Sequence, residues 1–313
     1  MMTKGFFYTL SVLVLVAPLI ALMLFYADIS SASRSTTVSN VVSTESLHAI
    51  QAIETDFERA LRSSAQSALL SAVGRVVSEG RALADARTSI QNLVANGSFE
   101  PGESVYPSMG QNYLSNWASN MRRLSSAYGL NVTLIVLNVR VTGLTPASLL
   151  VTSNLSLFVQ SLVEPASFNF TRSYSESVVL SIEALEDPLF SLNTNGVLSR
   201  VVAFNASPVS NLSTLETFIS EKKYAPNPDA PDFLNRLEGR LSPNVLGFET
   251  VVNPNELSAQ DLPIRNQSHA DHLFFNASLS NQGRRVSSMI HPWLQIDCTH
   301  AAFYGVTNQT SGC

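Results

Sequence analysis

The residues of this chain best suited to chemistry fall in two short groups, His269, Asp271 and His272, then Asp297, Cys298 and His300. Imidazole, carboxylate and thiolate are the donors that hold zinc. Two histidines three positions apart share one face if their segment is helical. Nothing in the sequence draws the two groups together, and a bridged Cys298 has no thiolate to give. They are expected to be ordinary surface histidines, with no metal and no cofactor. Glu183, Glu186 and Asp187 form an acidic cluster before Pro188. Paired carboxylates hydrolyse glycosides only at a set separation in space, so a solvated turn is expected. The sequence has no G-x-S-x-G elbow, P-loop or dinucleotide glycine fingerprint. Trp117 and Trp293 are expected to pack in the core rather than bind sugars. No catalytic residue is assigned, and the expectation is a protein that is not an enzyme.

Two other residue sets carry covalent chemistry. Cys298 and Cys313 are the chain's two cysteines. An exported setting permits a disulfide between them, and closing a loop of this size stabilises by about 3 kcal/mol. The alternatives are two free thiols, or lipid or metal use at Cys313. Glycosylation sequons stand at Asn96, Asn131, Asn154, Asn169, Asn205, Asn211, Asn266, Asn276 and Asn308, more than the composition gives by chance. In a strand, residues i and i+2 share a face. Asn154 and Asn169 therefore fall on the faces opposite Leu149, Val151, Leu155, Leu157 and Val159 in one strand, and opposite Phe168, Phe170, Tyr174, Val178, Leu180 and Ile182 in the other.

The elements that must position these residues are legible mainly before residue 184. Leu47, Ile50, Phe57, Leu61, Ala65, Ala68, Ala72 and Val76 recur at helical spacing. Small residues in the second half suit close packing on a sheet. Gly80 ends this helix, and Ala82–Ala95 is a continuation or a second helix. A loop spans Asn96–Gly110, and a short helix spans Asn112–Tyr128, stopped at Gly129. Leu130–Thr142, Ala147–Leu162 and Ser167–Glu183 are predicted strands of an antiparallel meander. The fold class is therefore α+β, a long amphipathic helix packed on an antiparallel sheet. Beyond it the pattern weakens, with short helices at Leu212–Tyr224 and Pro231–Leu237 and short strands at Gly247–Val252 and His272–Asn276. The expected division is residues 1–28 as an anchor helix, 29–200 as an extracellular α+β domain, and 201–313 as a loop-rich extension or small second domain.

The uncharged apolar run Phe6–Tyr26 follows Lys4. A helix needs about 20 apolar residues to cross a hydrocarbon core, and the positive-inside bias places the N-terminus in the cytoplasm. The alternative is a cleaved secretory signal with small residues at Ser30-Ser31-Ala32, although signal peptides have shorter apolar stretches. A Ser/Thr-rich joint is expected at Ile29–Asn40. Charged residues are 14% of the chain and the net charge is −5, against about 25% charged in soluble domains. With no basic patch, nucleic acid is excluded as a partner.

Lys4-Gly5-Phe6-Phe7-Tyr8-Thr9-Leu10 resembles the processing site of type IV pilin-like (class III) signal sequences. The resemblance implies cleavage after Gly5 with the apolar helix retained; Leu10 stands where that family carries the glutamate used in filament assembly. Segments 181–190 (SIEALEDPLF), 229–239 (DAPDFLNRLEG) and 247–253 (GFETVVN) resemble uncharacterised archaeal membrane-anchored surface proteins. Together these imply a single-pass, glycosylated cell-surface structural or interaction protein. It would be held to the membrane through Phe6–Tyr26 and partnered by other surface proteins or copies of itself. The alternative is an extracellular ligand-binding or sensor module acting with a partner.

Overall fold

The computed structural model describes residues 3–162, 169–276 and 282–313, the side chains of 3–21, 28–43 and 45 excepted. The fold is α+β with a three-stranded antiparallel sheet. The first element, α1 (Thr3–Glu79), runs unbroken through the joint expected at Ile29–Asn40. Its physical basis is plain: residues 19–73 contain neither glycine nor proline, and serine or threonine costs at most about 0.7 kcal/mol against alanine in a helix. Gly80 ends it in the left-handed conformation, φ 61°, with its N–H on Val76 O. The buried stripe is Ser46, Ile50, Ile53, Phe57, Leu61, Ala65, Ala68, Ala72 and Val76. Leu47, assigned to this stripe from sequence, is 51% exposed. One residue is a 100° rotation about the axis, and Ser46 takes the inward position instead.

A second helix follows, α2 (Ala86–Asn96), capped by Asp85 on the Thr88 N–H and closed by Gly97. Next come α3 (Leu114–Ala127) and the strands β1 (Leu130–Thr145), β2 (Ser148–Ser161) and β3 (Asn169–Ser181), in sheet order β1-β2-β3. Burial alternates residue by residue along β2, with Leu149, Val151, Leu155, Leu157 and Val159 inward. Val178 and Leu180 continue the inward face on β3.

After the sheet the elements are short: α4 (Pro188–Asn193), α5 (Leu212–Ser220), β4 (Ala225–Pro226), α6 (Phe233–Leu237), β5 (Phe248–Glu249) and α7 (Pro254–Ser258). They continue with α8 (Asp271–Phe274), β6 (Arg284–Arg285), β7 (Gln295–Ile296) and α9 (Cys298–Phe303). The strand expected at Gly247–Val252 pairs only at Phe248–Glu249, with β4. The strand expected at His272–Asn276 is instead the helix α8; Leu273, Phe274 and Phe275 are all buried, so no face alternates to water.

The described residues form two compact units. One holds those of Met1–Thr55, Met121–Leu134 and Leu157–Arg172; the other holds Asp56–Asn120, Ile135–Ser156 and Ser173–Cys313. Within the larger unit, Trp117 donates to Asp56 at 2.8 Å and stacks near Phe57, tying α3 to α1. Two apolar clusters support the short elements. Leu215, Phe218, Val251, Leu294, Ile296, Ala301 and Tyr304 form the first, and Leu189, Phe190, Val252, Leu257, Phe274 and Phe275 the second.

Candidate functional site

The strand β5 carries Glu249 into the interior of the larger unit, where its side chain is fully buried. Gly247 makes this placement possible. A Cβ there would stand 1.9 Å from Ala230 O, so only glycine lets the 227–230 turn close on it. The Glu249 carboxylate accepts the Tyr304 hydroxyl and, at 2.8 Å, Asn227 Nδ2. It also faces His300 Nε2 at 3.0 Å.

His300 reaches this point from the first turn of α9, whose N-cap is Asp297. Asp297 Oδ1 accepts the backbone N–H groups of Thr299 and His300, while Oδ2 lies 2.7 Å from His300 Nδ1. Both ring nitrogens thus face carboxylate oxygens. Burial alone would disfavour the imidazolium, but hydrogen bonds to Asp297 and Glu249 outweigh it and raise the His300 pKa to about 10. Burial likewise opposes the charge on Asp297, and His300 overrides it, holding that carboxyl well below the usual range.

His272, on α8, completes the group. Its Nδ1 lies 3.5 Å from Glu249 Oε2 and 3.6 Å from Asp271 Oδ1, and makes no hydrogen bond. The His272 and His300 rings are 5.6 Å apart. One donor atom from each of Glu249, His272 and His300 lies within 4.8 Å of the others. His272, His300 and Asp297 line a cleft of about 560 Å³, with Asp229, Asn276 and Thr299 also on its walls.

A second buried network adjoins the first through the backbone. Arg236 Nη1, fully buried, bridges Asp187 Oδ2 at 2.7 Å and Asp271 Oδ2 at 2.9 Å, and its Nη2 donates to Phe248 O. Tyr224 donates to Asp187 at 2.8 Å, and the His272 backbone N–H donates to Asp271 at 2.7 Å. Burial pushes the Asp187 carboxyl up against the pull of Arg236. At Asp271 burial is overcome by Arg236 and His272, and the carboxyl is held down. One guanidinium therefore fixes α4, α6, β5 and α8 at a single point.

The histidines expected on the surface are thus buried: His269 is 2% exposed, His272 4% and His300 4%. The fold unites His272, Asp271, Asp297 and His300 from the two sequence groups, through Glu249. His269 stays apart, its Nδ1 accepting the Gln295 N–H at 3.1 Å, and burial lowers its pKa to about 4. In the acidic cluster Glu183 is exposed as expected, but Asp187 is buried on Arg236 because Pro188 and Asp187 open α4 inward. Cys298 and Cys313 form the disulfide. Asn96, Asn131, Asn169, Asn211, Asn266 and Asn308 are exposed, and Asn154, Asn205 and Asn276 are half-buried. Gly5 lies in α1, and the side chains of Phe6–Ala21 lie outside the described residues. Trp293 packs against His269 and the first apolar cluster, away from the cleft.

Glu249, Arg236, Asn227, Tyr224 and Tyr304 were not singled out from sequence. The signal was a lone charge among apolar neighbours, in Phe233-Leu234-Asn235-Arg236-Leu237 and in Phe248-Glu249-Thr250-Val251. Such a charge is rarely buried without a partner. Among the described residues no helix is long and apolar enough to cross a membrane. No protein-family model matches this chain, and neither a curated protein nor a solved structure matches it.

Proposed function

We propose that this chain is a membrane-anchored, N-glycosylated surface protein in which the long helix holds a disulfide-closed α+β domain outside the cell. The observation that carries this reading is Leu22–Tyr26, the end of the apolar run. Leu22, Met23, Leu24, Phe25 and Tyr26 are each 67–73% exposed on α1. Five successive large apolar side chains open to water are costly unless lipid or another helix covers them. The accessible sequons and the Cys298–Cys313 bridge support an oxidising, exported setting for the rest of the chain. Its role is structural presentation or interaction, with neighbouring surface proteins or further copies as partners. The pilin-like start at Lys4-Gly5-Phe6 supports retention of the helix after cleavage. In this reading the small-residue stripe of α1 shields the inner face of the sheet, and the 3.3 Å Arg172–Glu54 ion pair links β3 to α1. Alkaline carbonate extraction of membranes tests it. The full chain is expected in the pellet and a chain lacking 6–26 in the supernatant; release of both would contradict the anchor.

The cleft beside His272 and His300 favours a second reading, a ligand-binding module on the same anchor. A cleft of this volume with a few convergent polar groups is the usual form of a small-molecule site.

A further inference from the structure

We propose that Glu249, His272 and His300 form a binding site for a first-row divalent cation of the zinc type. Zinc bonds of about 2.0–2.2 Å to nitrogen and oxygen place tetrahedral donors roughly 3.4 Å apart. Glu249 Oε2 lies 3.0 Å from His300 Nε2 and 3.5 Å from His272 Nδ1, and the three donor atoms lie within 4.8 Å of one another. Both distances to Glu249 are thus close to the tetrahedral spacing, and the third is at most 4.8 Å.

The independent observation is His272. Its side chain is 5% exposed, yet Nδ1 has no hydrogen bond and lies 3.5 Å from Glu249 Oε2 and 3.6 Å from Asp271 Oδ1. A buried polar atom without a partner costs about 1–3 kcal/mol, and a cation at this point would satisfy it.

The surroundings have the form that ligands require. Asp297 Oδ2 accepts from His300 Nδ1, so an ion would displace only the Nε2 proton and take that lone pair, while Asn227 and Tyr304 orient the Glu249 carboxylate. Such outer contacts fix tautomer and orientation in metal centres. Three protein donors leave a fourth position, and His272 and His300 both line the cleft. The site is therefore open to an exogenous water or anionic ligand. This inference rests on Glu249, His272 and His300 and is separate from the membrane anchor, so the two fail independently.

The test is titration of the full chain in detergent, after chelator treatment, with Zn²⁺ by calorimetry and Co²⁺ by visible absorption. One equivalent is expected to bind, with Co²⁺ giving the intense bands of four- or five-coordination. His272→Phe removes a donor while Asp271 keeps Arg236 and the residue-272 backbone N–H as partners, and should weaken binding at least 100-fold while the circular dichroism is unchanged. Asp297→Asn should weaken it about 10- to 100-fold. His291→Ala, outside the site, should bind as the parent does. Absence of stoichiometric binding by the parent chain, or parent-like affinity in folded His272→Phe, would overturn the site. The parent titration decides the matter even if a variant does not fold.

Discussion

Nη1 of Arg236 lies 2.7 Å from Oδ2 of Asp187, with neither side chain exposed to water. The two residues stand 49 positions apart in sequence, so this pair is a tertiary constraint and not a local cap. The same nitrogen binds Asp271, and the other arm of the guanidinium holds Phe248 O. Burying charge is expensive, and these three partners compensate it, while Nε of Arg236 makes no hydrogen bond.

Arg236→Met should therefore destabilise by about 3–5 kcal/mol, because it leaves two carboxylates buried without a cation. Arg236→Lys should recover little, since one ammonium cannot reproduce the two-armed geometry. Denaturant midpoints of the full chain in detergent measure both. A loss below about 1 kcal/mol in either variant would show the network to be dispensable.

His269 gives the fold an acid liability. Its pKa is about 4 when folded, against 6.5 for the free group, and its Nδ1 already accepts a backbone N–H. The unfolded chain thus binds the extra proton first. Stability from this group is complete above pH 6.5 and falls as the pH drops towards 4, by on the order of 3 kcal/mol. His269→Gln keeps an acceptor but does not titrate. Its stability relative to the parent should rise by that amount between pH 6.5 and 4; a flat difference curve would contradict the assignment.

Gly247→Ala should cost about 3 kcal/mol, the upper end of overpacking penalties, because Ala230 O is backbone and cannot step aside. Since the glycine sets the approach of 227–230 to β5, the variant should also disturb the Asn227–Glu249 bond. Thermal melts, and the amide proton shift of Asn227, report the two effects separately.

The helices and the meander were legible because each repeats a local period against one buried face. The eight-residue stripe on α1 failed only at Leu47, where a one-residue change of phase was invisible without the neighbouring Ser46. Ile29–Asn40 reads as a joint by composition, yet contains no residue that stops a helix. The site was less legible for a different reason. His272 and His300 meet through Glu249, and nothing local ties residue 249 to either histidine. Asp187, Arg236 and Glu249 do lie in the three segments 181–190, 229–239 and 247–253. Arg236 and Glu249 stand as lone charges among apolar residues, but nothing local names their partners, and Asp187 reads as part of an acidic turn.

The lysines of this chain, Lys4, Lys222 and Lys223, bracket the proposed anchor and allow one direct measurement of sidedness. Lys222 is 54% exposed in the larger unit. Intact cells treated with a membrane-impermeant amine reagent should yield labelled Lys222 peptides, and any retained Lys4 should be labelled only after lysis. Labelling of Lys222 that likewise requires lysis would place the domain in the cytosol and contradict the account.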